Sequence, residues 1–293
     1  MNPIAGKRAV IVGACGGIGR AVTSALMEAG ARLVLCDVAK SELEGLVADC
    51  SGQGAEITAC TVDITDPHAV AHVAEEIIES HGPPDILVNC AGVYISGGMA
   101  DLTLRDWDWV LSTNLFGVIH VCHAFVPAMI KHGEGGVIIN LVSMYGYWPS
   151  PNVIGYLTSK FALFGFSEAL REDLRPHNIN VVTLCPGMIN TGIVQNMRVC
   201  DQSGQEPEIR TTLQRIYSRR NYSPKRVARA LVRAINGNKK RVFVSPEAHI
   251  MYYMERFCPA LSRIIARRVA RRLFTSASAH INASNPQEDV RRP

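Results

Sequence analysis

From residue 8 to about 245 the chain alternates between two patterns of apolar placement. Short runs rich in Val, Ile and Leu, apolar at nearly every position, fall near 8–12, 32–36, 56–61, 85–89, 136–142, 179–184 and 241–244. Between them lie longer segments whose apolar residues recur at helical spacing, near 17–29, 40–50, 67–80, 105–132, 155–174 and 224–236. Runs that are apolar on both faces suit strands covered on both sides, and a three-to-four residue recurrence suits an amphipathic helix. Strand and helix in strict alternation predict an α/β fold, a doubly wound parallel sheet of about seven strands with right-handed crossovers. No internal repeat or linker divides this stretch, so residues 1–245 are expected to form one domain. The polar, irregular stretch 195–222 predicts a flap. Residues 246–293 are set apart as a helical extension whose end, 278–293, reads as a frayed tail.

Charge sharpens that division. The net charge is only +4, yet residues 215–293 hold 18 Lys and Arg against 4 Asp and Glu. A body with an acidic balance thus carries a basic appendage. With 47% hydrophobic and 19% charged residues the 293-residue chain has ample material for a core, which excludes disorder over most of its length. No uninterrupted apolar run approaches the roughly 18–20 residues of a membrane span. Met1 to Ala9 contains no long apolar stretch, so no cleaved leader is expected. The nine cysteines are scattered without a CxxC pair, and Cys36, Cys90 and Cys185 sit inside apolar runs. A reduced, cytoplasmic chain is the simplest reading. His68 and His72 are four apart on an expected helix but have no third ligand of matching pattern, so no metal is expected.

The first strand runs directly into Gly13-Ala14-Cys15-Gly16-Gly17-Ile18-Gly19 and then a helical pattern. Glycines allow a sharp turn and close approach of the backbone to a pyrophosphate, and the following helix supplies amide donors. The second strand ends in Asp37, 18 residues beyond Gly19. A carboxylate there accepts hydrogen bonds from ribose hydroxyls and repels a 2′-phosphate, which favours NAD over NADP. Arg20 and Lys40 lie near in sequence and leave NADP open. The competing reading is that Asp37 caps the helix starting near Ser41.

Tyr156 and Lys160 are four apart on an expected helix and share a face. A free phenol titrates near 10, and a neighbouring cation draws that value down toward a working range. Ser143 follows the fifth strand, where sheets of this type bind ligands, and its hydroxyl can bond a substrate oxygen.

Taken in order, these pieces resemble the short-chain dehydrogenase/reductase family. The matching elements are Gly13, Gly17 and Gly19; Asp63-Ile64 after the third strand; Asn89-Cys90-Ala91-Gly92 after the fourth; Asn114; Ser143; Tyr156 with Lys160; and Pro186-Gly187 followed by Thr191. The likeness covers about residues 5–245. Cys90, Ala14 and Cys15 depart from the residues usual in the family. The resemblance implies a Rossmann-like fold and NAD(P)-dependent interconversion of a secondary alcohol and a ketone. It implies Tyr156 as the general acid–base, Lys160 as the group that lowers its pKa and holds the nicotinamide ribose, and Ser143 as the residue orienting the substrate oxygen. Asn114 would support a water linking Lys160 to solvent. The implied cofactor contacts are Gly13, Gly17, Ile18 and Gly19 at the pyrophosphate, and Asp37 at the ribose. Asp63 and Ile64 flank the adenine, and Asn89, Ala91 and Gly92 line the cleft. Tyr156 and Lys160 meet the nicotinamide ribose, and Pro186, Gly187, Ile189 and Thr191 the nicotinamide side. A homodimer or homotetramer is implied as well, through the helix bearing Tyr156 and the one before it.

Around the expected mouth stand Met144-Tyr145-Gly146-Tyr147-Trp148, then Tyr94, Ile95 and Met99, and from the flap Ile189, Ile193, Val194 and Met197. No Arg or further Lys stands beside the catalytic set. This composition predicts a bulky lipophilic small-molecule substrate such as a steroid, retinoid, terpenoid or fatty chain. In the extension, Arg263, Arg267, Arg268, Arg271 and Arg272 are interleaved with Leu261, Ile264, Ile265, Val269 and Leu273. Two readings stand: a helix packed on its own or a neighbouring subunit, and peripheral membrane contact through 247–274. Nucleic-acid binding is not expected, since no reading motif accompanies the basic run. A cofactor-binding regulator without turnover is the competing function, as is an NADP-dependent carbonyl reductase.

Overall fold

The computed structural model describes residues 4–51, 56–201 and 206–269. Its strands are β1 (Arg8–Val12), β2 (Arg32–Asp37), β3 (Ile57–Thr61), β4 (Ile86–Asn89), β5 (Ile95–Ser96), β6 (Gly136–Leu141), β7 (Ile179–Cys185), β8 (Arg198–Val199) and β9 (Arg241–Phe243). Seven of them form one parallel sheet in the order β3-β2-β1-β4-β6-β7-β9, while β5 and β8 pair separately. The helices are α1 (Gly17–Glu28), α2 (Lys40–Ser51), α3 (Pro67–His81), α4 (Leu104–Leu111), α5 (Gly117–His132), α6 (Ile154–Leu174), α7 (Glu206–Arg220), α8 (Pro224–Asn236) and α9 (Pro246–Phe257).

Side chains alternate across each strand, so every strand feeds two core layers. Val10 and Val12 join Leu87, Ile138 and Val181 in one layer, with Val70 of α3, Val121 of α5 and Leu163 of α6. Ala9 and Ile11 join Leu33, Val88 and Val182 in the other, with Val22 of α1, Leu43 of α2 and Leu231 of α8. Burial on both faces is what the uninterrupted apolar runs anticipated, at roughly 1.5–3 kcal/mol per large side chain removed from water. The chain winds outward from β1 to β3, then returns to β4 on the other side of β1. This reversal opens a crevice at the carboxyl ends of β1 and β4, where ligands bind in such sheets.

Three expectations need correction. The stretch 195–222 is not irregular throughout: it contains β8 and the four-turn helix α7, which buries Ile209 and Leu213. Those residues and Tyr217 recur every fourth position among charged neighbours, a helical stripe too narrow to stand out. Second, no stretch of membrane-spanning length is expected, yet the helix expected near 105–132, formed as one helix from Leu104 to His132 by α4, a π-helical turn at Ser112–Phe116 and α5, is such a stretch. An 18-residue window of it has a mean hydropathy of 1.5, long and apolar enough by length and composition to cross a membrane. Scattered polar residues such as Asn114 and His120 break the run in the sequence, whereas the average remains high. In this fold Val118, Val121, Phe125 and Met129 pack into the core layer. Third, Tyr147, Trp148, Val194, Met197 and Ile95 belong to the packed core, and Met99 is exposed. The extension is helical over Pro246–Phe257 and again over 259–269. The expected tail at 278–293 and the extension's residues beyond 269 lie outside the described residues.

Candidate active site

The glycine turn is built by close backbone approach. Gly13 has φ +80°, a left-handed conformation, and a Cβ there would strike the backbone of Ala91. A Cβ on Gly19 would strike the carbonyl oxygens of Gly13 and Ala14. Both glycines therefore let β1, β4 and α1 meet at the crevice. α1 starts after Gly16 with no side-chain cap, so its first-turn amides are left for an external acceptor. Gly17 faces Thr191, whose Cβ lies 3.2 Å from where a Gly17 Cβ would stand. The uncapped, glycine-rich helix start under Thr191 fits a pyrophosphate.

At the end of β2, Asp37 points toward this turn. Its carboxylate accepts from the amide of Cys15 at 2.8 Å and from that of Ala39 at 3.1 Å. The second bond lies at the start of α2, so the capping and the ribose-facing readings describe one carboxylate. Arg20 donates to the Cys15 carbonyl at 2.9 Å and stands close to the same turn. Burial, with Asp37 next, pushes the Cys15 thiol up to about 12. Asp63 is exposed after β3 and accepts from the amide and hydroxyl of Thr65, at 2.9 and 2.8 Å. The Ile64 side chain is buried against Gly117, and its carbonyl lies 2.9 Å from His120 Nδ1.

Asn89 is not on the cleft wall. Its buried amide nitrogen donates to Asn140 Oδ1 at 2.9 Å, beside Cys122 Sγ at 3.7 Å, and Asn140 in turn donates to Ser167 Oγ at 3.0 Å. Strand alternation puts Asn89 on the same face as Leu87, inside the layer under α5 and α6. Its neighbours Cys90 and Gly92 line the cleft instead.

Ser143, Tyr156 and Lys160 meet at the carboxyl end of β6. Ser143 caps a short 3-10 turn, Met144–Gly146, its Oγ accepting from the Tyr145 amide at 3.2 Å. Tyr156 and Lys160, one turn apart on α6, are both buried, with Lys160 Nζ 5.8 Å from the Tyr156 ring centroid. Asn114 sits in the π turn, fully buried. Its Oδ1 accepts from the Val93 amide at 2.8 Å, and its Nδ2 donates to the Val93 carbonyl at 2.9 Å and to Ser159 Oγ at 3.0 Å. The extra residue of a π turn re-aims such a side chain. Gly92 keeps the space in front clear: a Cβ there would lie 3.2 Å from Asn114 Oδ1 and 3.4 Å from Lys160 Nζ.

The electrostatics differ from expectation. Burial pushes the Tyr156 phenol up, while the adjoining Ser143 hydroxyl draws it back and Tyr145 raises it further. Lowering by Lys160 does not dominate in the chain by itself. The lysine ammonium donates instead to the Leu141 carbonyl at 3.1 Å, and burial lowers its own pKa to about 8.

The cleft has a volume of about 70 Å³ and is lined by these groups with Ile18, Pro186, Gly187, Ile189 and Thr191. Its outer wall is aromatic. The Tyr94 ring lies 4.5 Å from that of Tyr156, Tyr145 lies 6.0 Å from it edge-on, and Tyr217 of α7 completes the lining. Tyr94, Met144, Tyr145, Ile189 and Ile193 were anticipated at this mouth. Tyr217 was not, because its stretch was read as irregular; its spacing from Ile209 and Leu213 was the available signal.

Comparison with known proteins agrees with this geometry. A family model described as short chain dehydrogenase matches residues 7–201. The chain is 34% identical over 260 residues to the probable oxidoreductase EphD of Mycobacterium tuberculosis, covering 88% of this chain but 44% of that protein, so it spans less than half of that relative's length. It is also 34% identical over 191 residues to the 1-deoxy-11-beta-hydroxypentalenate dehydrogenase of Streptomyces avermitilis, covering 64% of this chain and 71% of that one. A short-chain dehydrogenase/reductase of Burkholderia phymatum, solved with NAD, superposes with a TM-score of 0.82 at 28% identity, covering 89% of this chain and 96% of that one. With the glycine turn, the reversal of strand order and the matched family model together, the chain belongs to the short-chain dehydrogenase family of NAD(P)-binding oxidoreductases.

Proposed function

We propose that the chain is an NAD-preferring alcohol dehydrogenase or carbonyl reductase acting on a bulky lipophilic secondary alcohol or ketone. The observation that carries this reading is the convergence of Ser143, Tyr156 and Lys160 on one cleft with Asn114 directly behind. Two glycine-lined walls suit the dinucleotide: the α1 start with Gly17 and Ile18, and the segment Pro186, Gly187, Ile189 and Thr191. The nicotinamide, when bound, supplies the hydride donor or acceptor.

The chain's own residues supply position and the proton. Ser143 Oγ, held by the Tyr145 amide, orients the substrate oxygen. Tyr156 Oη gives its proton to that oxygen during reduction and takes it back during oxidation. Lys160 offers its ammonium toward the ribose side, and Asn114 fixes the backbone at Val93 beside it. Tyr94, Tyr145 and Tyr217 exclude water, and among the described residues no arginine lines the cleft to clamp an anionic substrate. A relative named for a hydroxypentalenate is in keeping with dehydrogenation of a hydroxyl group.

The NAD preference rests on Asp37, whose carboxylate stands at the end of β2 beside the exposed Val38. Arg20, bound to the Cys15 carbonyl, favours NADPH as the second reading. A homo-oligomer is supported by the exposed Leu104, Phe116 and Phe161 on the helices before and bearing Tyr156; light scattering of the full chain tests it. For the activity, quenching of protein fluorescence by NADH and NADPH, followed by a panel of lipophilic alcohols and ketones read at 340 nm, is the direct test. Tyr156→Phe is expected to lose about 10²–10⁴-fold in turnover while NADH still binds. Full turnover in that variant overturns the mechanism, and activity confined to small polar sugars overturns the substrate class.

A further inference from the structure

We infer that the C-terminal helices form a docking face for an anionic lipid surface, beside the mouth of the cleft. Ile250, Tyr253 and Phe257 are exposed at 57%, 53% and 72%, and they stand three and four residues apart on α9. Leu261 and Ile264 carry the exposed line onto the helix over 259–269. The rings of Tyr253 and Phe257 are stacked, with centroids 6.4 Å apart, so the stripe has a preformed aromatic centre. The opposite side of both helices is buried: Ala248, Ser262 and Ala266 face the body of the protein. A water-facing helix side is ordinarily polar, and this one carries an apolar stripe.

The charges around the stripe select its partner. Arg256, Arg263, Arg267 and Arg268 are exposed, and none forms an ion pair with a described residue. Glu255, the one carboxylate from 248 to 269, is half-buried with its Oε2 turned inside. Pairing of this stripe with the same stripe of a second copy would set arginine against arginine, since a two-fold contact uses one patch twice. An anionic headgroup layer meets both features at once, taking the aromatic and aliphatic side chains at its acyl boundary and the guanidinium groups at its phosphates. Arg268 falls in line with Leu261, and its long stem joins the apolar surface while its head reaches outward.

The face is tied to the cleft. The Tyr147 hydroxyl donates to the Ala248 carbonyl at 2.8 Å, and Tyr252 packs edge-on against Tyr147 at 5.2 Å. Tyr147 follows the 3-10 turn capped by Ser143. A bilayer seated on α9 therefore lies at the edge of the sheet where a lipophilic substrate would enter.

The test is flotation of the full chain with vesicles of phosphatidylcholine alone and of phosphatidylcholine with phosphatidylglycerol. The wild type is expected to float with the anionic vesicles and to be released by high salt. Phe257→Asp with Leu261→Asp, and separately Arg263→Glu with Arg267→Glu, are each expected to weaken binding by about tenfold or more. These positions are exposed, and an unchanged melting temperature identifies a folded variant. Absence of binding to anionic vesicles overturns the inference, as does binding that both folded variants retain. A halving of the solution mass in the Phe257→Asp, Leu261→Asp protein overturns it too, because the occupant is then a second copy. The outcome is independent of turnover, so it stands or falls apart from the proposed activity.

Discussion

Lys160 donates its ammonium to the Leu141 carbonyl oxygen at 3.1 Å, which ties helix α6 to the last residue of β6. That bond holds a cation where only 3% of the residue reaches solvent. Burial disfavours the charged form and lowers the lysine's pKa to about 8 from the ordinary 10.5. The linkage has a definite sign. Between pH 8 and 10.5 the unfolded chain holds a proton that the folded chain has released, so stability against unfolding gains from this group as pH rises. Below pH 8 both states are protonated and the full cost of burying the charge persists. Lys160→Met is accordingly expected to melt higher than wild type at pH 7, with the difference shrinking toward pH 10.5, and to lose activity. Thermal melts of both proteins across that range check this. An equal or lower melting temperature at pH 7 would show that the Leu141 bond outweighs the burial cost.

Asn114 satisfies three partners with one carboxamide: the amide and carbonyl of Val93, and Ser159 Oγ. Ser159 passes the chain on by donating to the Tyr156 carbonyl at 2.6 Å. Asn114→Ala removes the carboxamide's own three bonds at once and leaves part-buried backbone groups without partners. The expected loss is about 2–4 kcal/mol, or a fall of very roughly 5–10 °C in Tm for a chain of this size. Turnover should fall further than this alone accounts for, because the Val93 segment leads into Tyr94 at the cleft. Scanning fluorimetry is the check; an unchanged Tm would mean that water replaces the carboxamide.

Most of this architecture was readable because buried parallel strands leave an unambiguous trace. Val10 to Val12 and Val137 to Ile139 are apolar at every position, as suits strands covered on both faces. Ser143, Tyr156 and Lys160 were legible through spacing together with family likeness and Asn114 through the likeness alone, and the structure gathers all four at one end of the sheet. What the sequence hid depends on contacts between distant segments. The side chain of Asn89 is turned under the cleft by the face it shares with Leu87, and its partner Asn140 is 51 residues away. Tyr217 reaches the cleft only because α7 buries Ile209 and Leu213, a stripe obscured by surrounding charge. The spacing of Lys160 gives proximity to Tyr156 but says nothing of where the ammonium donates, which is the Leu141 carbonyl.

Asp37 bridges the glycine turn and the start of α2 through Cys15 and Ala39. A carboxylate so held has a fixed orientation, and in the proposed function it is the group that meets the ribose. Asp37→Ala is expected to weaken NADH binding by about tenfold or more, the range of one or two hydrogen bonds to a charged acceptor. NADPH binding should improve relative to NADH, because Arg20 then faces the 2′-phosphate without a competing carboxylate. Fluorescence titration with both cofactors measures this. A variant that retains its full preference for NADH would move the origin of selectivity away from β2.

Glu247 links three segments around the mouth. Its Oε2 accepts from Arg220 at the end of α7 at 2.9 Å, and its Oε1 accepts from the Met188 amide at 3.3 Å. Gly187, next to that amide, is packed so closely on Ser245 and Glu247 that it has no room for a Cβ. The carboxylate thus fastens α7, which carries Tyr217, and the segment carrying Ile189 and Thr191 to the first turn of α9. The pair is partly exposed, at 34% and 19% of the two side chains, so its direct contribution to stability is small. Its effect should appear in binding. Glu247→Gln keeps the shape and removes the charge, and is expected to raise KM for a bulky substrate about three- to tenfold while kcat changes little, since Tyr156 and Ser143 lie on other elements. Arg220→Met should do the same, and the double variant should add little to either, the mark of a shared interaction. Losses that simply multiply in the double variant would mean that Glu247 and Arg220 act separately, and that the mouth is held by its aromatic packing.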